Sequence, residues 1–172
     1  KFFDVVVIGG GPAGMQAALE SAVPSCEVLL VDENQSLGGS LNYSRFDVEG
    51  ARGKNQLDKL LNAINDKPNI SVMTNAVCNG WFADNWLPII TKKRLYKVRT
   101  KQAIMCTGSL EQPAIFHNND LPGIMMSSAA QRLVHLYGVR PGSQAVIVTG
   151  NNDGYGTALD LDDAGVKINA IV

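Results

Sequence analysis

Apolar positions along the chain follow two rhythms. Apolar-rich runs at residues 3–8 (FDVVVI, interrupted by Asp4), 27–33 (EVLLVDE), 102–108 (QAIMCTG) and 145–150 (AVIVTG) have the length and branched content of apolar strands, and 166–172 (VKINAIV) reads as a last strand. Between them the spacing turns helical. Residues 12–22 carry Ala17, Ala18, Leu19 and Ala22, and residues 55–67 place Leu57, Leu60, Leu61 and Ile64 on one face before Pro68 ends the run. A third helix is expected from a cap at Ser127 or Ser128 through Leu136, stopped by Gly138 in the left-handed position. A fourth runs from about Gly154 to Ala164, ahead of Gly165. From Ile70 to Lys101 the pattern is of short strands, broken at Asn79-Gly80 and Asp84-Asn85, which predicts a β-meander lying over the main sheet.

Strand, helix and strand within about thirty residues make a βαβ unit, and the pattern occurs twice. The fold class is therefore α/β: a Rossmann-like, FAD/NAD(P)-binding type of domain over residues 1–140, with a parallel sheet and a meander crossover near 70–101. Residues 141–172 read as the opening βαβ of a second dinucleotide-type domain. A two-stranded parallel sheet is too small to bury both faces, so the second unit is expected to continue in a larger protein. Lys1 in place of Met points the same way.

Composition narrows the class only a little. With 172 residues, 45% hydrophobic, 18% charged and a net charge of −1, the chain is an ordinary globular one. No apolar run approaches the ~20 residues of a membrane span, and no signal peptide is evident. The basic cluster KKRLYKVRTK (92–101) alternates with Tyr96, Val98 and Thr100, which predicts a solvated strand face rather than a nucleic-acid surface. Cys26, Cys78 and Cys106 are widely spaced with no C-x-x-C, so neither a redox disulfide nor a metal site is signalled. Buried free thiols are expected, which fits a reducing cytoplasm.

The chemistry lies in the first glycine-rich turn. Gly9, Gly11 and Gly14 form G-x-G-x-x-G directly after a strand and at the opening of a helix. In such a turn the first glycine allows the bend, the second lets a pyrophosphate approach, and the third lets helix and strand pack closely. The helix N-terminus adds N–H donors and a positive partial charge. Asp32, with Glu33 beside it, ends the next strand, where a carboxylate accepts the ribose hydroxyls and repels a 2′-phosphate. NAD or FAD is thus favoured over NADP, and both present the same ADP half. Gly38 and Gly39 of SLGGSL could pass close to it.

The second turn, TGNNDGYG, departs from the motif. With Gly150 in register with Gly9, Asn152 stands where Gly11 is and Tyr155 where Gly14 is, with Asp153 adding negative charge. Asn152 is expected to occupy the phosphate approach and Tyr155 to fill the space between helix and strand. No dinucleotide is expected there.

The segments DVVVIGGGPAGMQAALE and VDENQSLGGSL resemble the two-dinucleotide-domain flavoprotein and pyridine-nucleotide oxidoreductases. FHNNDLPGIM and PGSQAVIVTGNNDGYG add a more specific resemblance, to the α subunit of heterotetrameric sarcosine oxidase and its relatives. That resemblance implies an amine-oxidising complex that turns N-methylglycine into glycine, with NAD held by this domain and flavins and folate chemistry held elsewhere. Carried over, Gly9, Gly11, Pro12, Ala13, Gly14, Asp32 and Glu33 would line the NAD site. Gly39, Ser40, Val77, Thr107 and Gly108 would complete it. CTGS in place of the usual Ala-Thr-Gly-Ala, and Pro24-Ser25-Cys26 before the second strand, are mild departures. Partners would be the other subunits of the complex, with neither nucleic acid nor membrane. No catalytic residue is indicated: His117 falls in a loop and His135 reads as ordinary surface or packing. Two further readings stand beside this one. One is a flavoprotein reductase with FAD in the first turn, which the broken second turn and missing C-x-x-C oppose; the other is a scaffold that binds a nucleotide without turnover.

Overall fold

The computed structural model describes residues 1–46 and 53–172, which divide into two compact units: Lys1–Ser40 with Leu57–Gly108, and Leu41–Gln56 with Ser109–Val172.

In the first unit β1 (Phe2–Ile8) lies at the middle of a six-stranded sheet. It pairs in parallel with β2 (Val28–Val31) on one side and with β6 (Leu95–Met105) on the other. β3 (Ile70–Met73) extends the parallel part beyond β2, so Ile70 belongs to the main sheet rather than to the meander expected there. The meander proper is β4 (Ala76–Cys78), β5 (Trp86–Thr91) and the first half of β6, all antiparallel. It is hydrogen-bonded into the sheet through β6, not laid over it as a separate connection. The strand expected at 102–108 is the second half of that same eleven-residue β6. Gln102 carries the pairing with Val5 straight on from the meander, so nothing breaks the strand at residue 101.

Helix α1 (Pro12–Ser21) buries Met15 and Ala18 and packs on β1, β2 and β6. Val6 and Ile8 join Leu29, Val31 and the meander residues Ala76, Leu87, Ile89 and Val98 in one buried cluster. Both faces of β1 and β2 are thereby covered, which is why these strands read as continuous apolar runs. On β6 Val98 and Thr100 are buried while Lys97, Arg99 and Lys101 are exposed, as the alternation predicts. Lys101 Nζ meets Asp4 Oδ1 at 2.7 Å on this solvated face. Helix α2 (Gly53–Asn65) buries Leu60 and Ile64. The three cysteines are free but half-buried rather than fully buried.

In the second unit β7 (Gln144–Ile147) and β8 (Lys167–Ile171) pair in parallel. Helices α3 (Ser127–Tyr137) and α4 (Asp153–Asp163) pack together, and Ala130, Ile147, Ala158, Leu161 and Val166 form the core. α3, placed before the boundary at residue 140 by the sequence pattern, thus packs with the second βαβ unit. Gly138 ends it at φ 65°, the left-handed cap expected there. Its start differs from expectation. The N-cap is Met126, and neither serine caps through its side chain; Glu111 instead accepts the N–H groups of Ser127 and Ser128, both at 2.8 Å. Burial pushes the Glu111 carboxyl up, but these bonds outweigh it and hold the group below its ordinary value. The capping group lies sixteen residues upstream of the helix, where no local signal points to it.

Candidate dinucleotide site

The glycines of the first turn are required for two different reasons. Gly9 has φ 104°, and a Cβ there would sit 2.1 Å from the Cys106 carbonyl oxygen. A Cβ on Gly14 would lie 1.7 Å from the Gly9 carbonyl oxygen. These two are demanded by the fold itself. Gly11 is not: it has φ −72°, and a Cβ there would meet nothing nearer than Gly39 Cα at 3.8 Å. A Cβ there would make only an ordinary van der Waals contact, so the fold itself does not require glycine at the position where the motif lets a pyrophosphate approach the backbone.

The start of α1 is equally available. Gly11 is its N-cap and supplies no side-chain bond, Pro12 fills the first helical position, and the first closing bond is Met15 N–H to the Gly11 carbonyl at 2.9 Å. Ala13 and Gly14 therefore have N–H groups without intrahelical acceptors, at the positive end of the helix dipole.

Asp32 follows β2 and is 6% exposed. Its Oδ2 accepts the Gly10 N–H at 2.5 Å, and its Oδ1 accepts the Asn34 N–H at 2.7 Å and Asn34 Nδ2 at 2.9 Å. Glu33 beside it is exposed. The next turn is tied onto the glycines: Gly38 N–H donates to the Gly10 carbonyl at 2.8 Å, and a Cβ on Gly39 would come within 2.8 Å of Gly11 Cα. Ser40 follows, exposed, in a single turn over Gly39–Asn42. The meander reaches the same end of the sheet, since Ala76 N–H bonds the Asp32 carbonyl at 3.0 Å. That places the half-exposed Val77 one residue away. On the other side Cys106 N–H bonds the Ile8 carbonyl at 2.7 Å, and Thr107 and Gly108 leave β6 exposed beside Gly9. All twelve positions singled out in the sequence thus lie around the carboxyl ends of β1, β2 and β6, where open α/β sheets take their ligands. Sequence reasoning missed Gly10 and Asn34. Gly10 was legible, because the run is GGG; Asn34 carries no signal until Asp32 is seen to need a partner.

The second turn is built to a different plan. Asn151 Oδ1 accepts the Asp153 N–H at 3.0 Å, so the loop caps the start of α4 with its own side chain. Asn151 Nδ2 reaches back to Asp153 Oδ2 at 3.3 Å, and Thr149 Oγ1 donates to the Asn151 carbonyl at 3.0 Å. The expectation for Tyr155 is corrected here. It is 49% exposed and does not stand between helix and strand. Gly154 takes the close approach instead: a Cβ there would lie 2.4 Å from Thr149 Cγ2. α4 packs tightly one residue earlier than the motif register implies, so the turn keeps its frame while the Asn151 and Asp153 N–H groups are held by side chains of the turn itself.

Of the two expectations for His135, surface or packing, the surface one fails: its Nε2 lies 2.6 Å from Asp160 Oδ1, with side chains 4% and 0% exposed. Gln131 Nε2 donates to Asp160 Oδ2 at 2.7 Å, and the Arg45 backbone also bonds this carboxylate. Burial raises the Asp160 pKa, against the lowering effect of His135 and Gln131. With so little exposure the group joins α3 to α4 and offers no face to a substrate. Among the described residues, no cluster of His, Cys, Asp or Glu could hold a metal ion, and no helix is long and apolar enough to cross a membrane.

Residues 3–171 match the pyridine nucleotide-disulphide oxidoreductase family. The chain belongs to this family. Its relatives include the alpha subunit of sarcosine oxidase from Rhizobium meliloti (strain 1021), 32% identical over 98% of this chain and 18% of that protein. The A subunit of opine oxidase from Agrobacterium tumefaciens (strain Ach5) is 28% identical over 96% of this chain and 35% of its own length. Among solved structures, L-proline dehydrogenase from P.horikoshii superposes with a TM-score of 0.83 at 24% identity, over 99% of this chain and 35% of that one. The chain thus spans about a fifth of the length of the sarcosine oxidase relative it matches. Within this oxidoreductase family, it has the sheet, the glycine-rich turn and the acid of a dinucleotide-binding fold.

Proposed function

We propose that the first turn holds the ADP half of a dinucleotide, and that the chain is the NAD-holding part of a sarcosine oxidase-like α subunit. One observation carries the reading: among the described residues no side chain caps the α1 N-terminus, and glycine stands at its N-cap although the fold would tolerate a side chain there. Gly11, Ala13 and Gly14 would bind the pyrophosphate through backbone N–H groups. Asp32 would accept the adenosine ribose hydroxyls on its remaining lone pairs, with Glu33 adding negative charge that disfavours a 2′-phosphate. Gly39, Ser40 and Val77 would flank the adenosine, and Thr107 and Gly108 would border the diphosphate. The bound nicotinamide dinucleotide supplies hydride transfer. The residues of this chain bind and orient it, and the oxidised CH–NH group is met on other parts of an assembly with partner subunits. The likeness to sarcosine oxidase α subunits over nearly the whole chain supports this amine-oxidising context.

FAD is the second reading, because every residue named would contact only the half that NAD and FAD share. The spectrum of the purified protein separates them. NAD binding that ADP-ribose displaces, with no flavin absorbance, is expected; a stoichiometric flavin spectrum retained through purification puts FAD in the first turn. Failure to bind either dinucleotide removes both readings.

A further inference from the structure

Gly10 has both groups of its backbone engaged. Its N–H is held by Asp32 Oδ2 at 2.5 Å and its carbonyl by the Gly38 N–H at 2.8 Å. The orientation of that residue sets where the next peptide, with the Gly11 N–H, points. Asp32 is oriented in turn, among the described residues, by Asn34, which gives Oδ1 both its backbone N–H and its side-chain Nδ2. Asn34 is anchored from behind, since its carbonyl accepts the Asn75 N–H at 2.8 Å. Asn75 stands at φ 49° in the turn between β3 and β4. A continuous relay of hydrogen bonds therefore runs from that turn through Asn34 and Asp32 to Gly10.

We propose that Asn34 is a positioning residue of the dinucleotide site, which acts through Asp32 to hold Gly10, and with it the glycine-rich turn, in its receptive shape before the ligand arrives. The inference rests on the site reading above. Two features favour a positioning role over a packing role. The Asn34 side chain is exposed, so it supports no core. Its amide donates to a carboxylate that already holds the turn, and bonds to a charged partner are the stronger kind. With the Nδ2 bond gone, Oδ1 keeps only the backbone donor, and Asp32 is freer to rotate away from Gly10. In Asn34→Asp the donor becomes a second acceptor beside Asp32. Two carboxylates so close cannot both ionise easily, and the pair retains a proton to a higher pH than either acid alone. While that proton is present an O–H···O bond restores the relay. As pH rises and it is lost, the two charges push Asp32 off Gly10.

The test is calorimetric titration of the whole chain with ADP-ribose, whose pyrophosphate does not titrate between pH 5.5 and 8.5. Asn34→Ala is expected to bind about fivefold or more weakly at every pH. Asn34→Asp should match the wild type near pH 5.5 and weaken about tenfold by pH 8.5. The wild type should show a flat profile, and all three proteins should melt within about 2 °C of one another. A flat profile for Asn34→Asp overturns the relay whatever the affinity of Asn34→Ala, and so does Asn34→Ala binding as tightly as wild type. Wild-type protein that binds no ADP-ribose overturns the site reading and this inference together.

Discussion

Gly11→Val is expected to weaken dinucleotide binding by about 100-fold or more while leaving the fold in place. A branched side chain on residue 11, beside Gly39, keeps the diphosphate from the N–H groups of Gly11, Ala13 and Gly14. Loss of two charge-assisted hydrogen bonds, each about 1.5–3 kcal/mol, accounts for at least a hundredfold. Stability changes little, because Gly11 is at an ordinary φ with nothing crowding its Cβ position. An apolar residue at a helix N-cap costs about 1 kcal/mol, or roughly 2–4 °C in a chain of this length. Gly14→Ala makes the contrast, since its Cβ would overlap the Gly9 carbonyl and it should lose stability first and binding as a consequence. Titration with ADP-ribose alongside thermal melting checks both. Equal destabilisation of the two variants would show that Gly11 is kept for the fold and not for a ligand.

The second large effect lies in the other unit. Asp160→Ala leaves His135 and Gln131 buried without their shared acceptor, and His135→Ala leaves a buried carboxylate short of a donor. Breaking a buried pair by removing one partner costs about 3–5 kcal/mol, a large part of the roughly 5–15 kcal/mol that holds a domain together. Both tryptophans, Trp81 and Trp86, belong to the first unit, so their fluorescence does not report the loss. Amide hydrogen exchange does. Exchange in α3 and α4 should accelerate by about 100-fold or more in either variant, while β1 is unchanged. A rise of less than about fivefold in α3 and α4 would mean that the pair contributes no more than a surface ion pair.

The first βαβ unit could be read from sequence because each of its residues meets a local requirement. Strands covered on both faces show as unbroken apolar runs, and the glycines stand where turn, approach and packing require them. The alternation of Val98 and Thr100 with Lys97, Arg99 and Lys101 likewise gave the buried and solvated faces of β6 correctly. What escaped the sequence depends on residues far apart in it. The Glu111 cap of α3 spans sixteen positions and the His135–Asp160 pair twenty-five. Neither leaves a periodic trace, because either partner alone is an unremarkable polar residue. The meander was visible as short strands, but its fusion with the parallel sheet was not, since residues 100–102 look the same whether a strand ends or continues there. In the second turn, the register of the motif put Tyr155 in the packing position. Only the geometry shows that Gly154 takes that contact and that Asn151 caps the helix.

One measurement bears directly on the claim that the first turn, and not the second, holds a dinucleotide: hydrogen–deuterium exchange of the chain with and without saturating ADP-ribose, resolved to short peptides. Slowed exchange is expected over Gly9–Met15 and Glu33–Ser40, with Thr149–Gly156 unchanged. Slowed exchange at Thr149–Gly156, with none over Gly9–Met15, would contradict it.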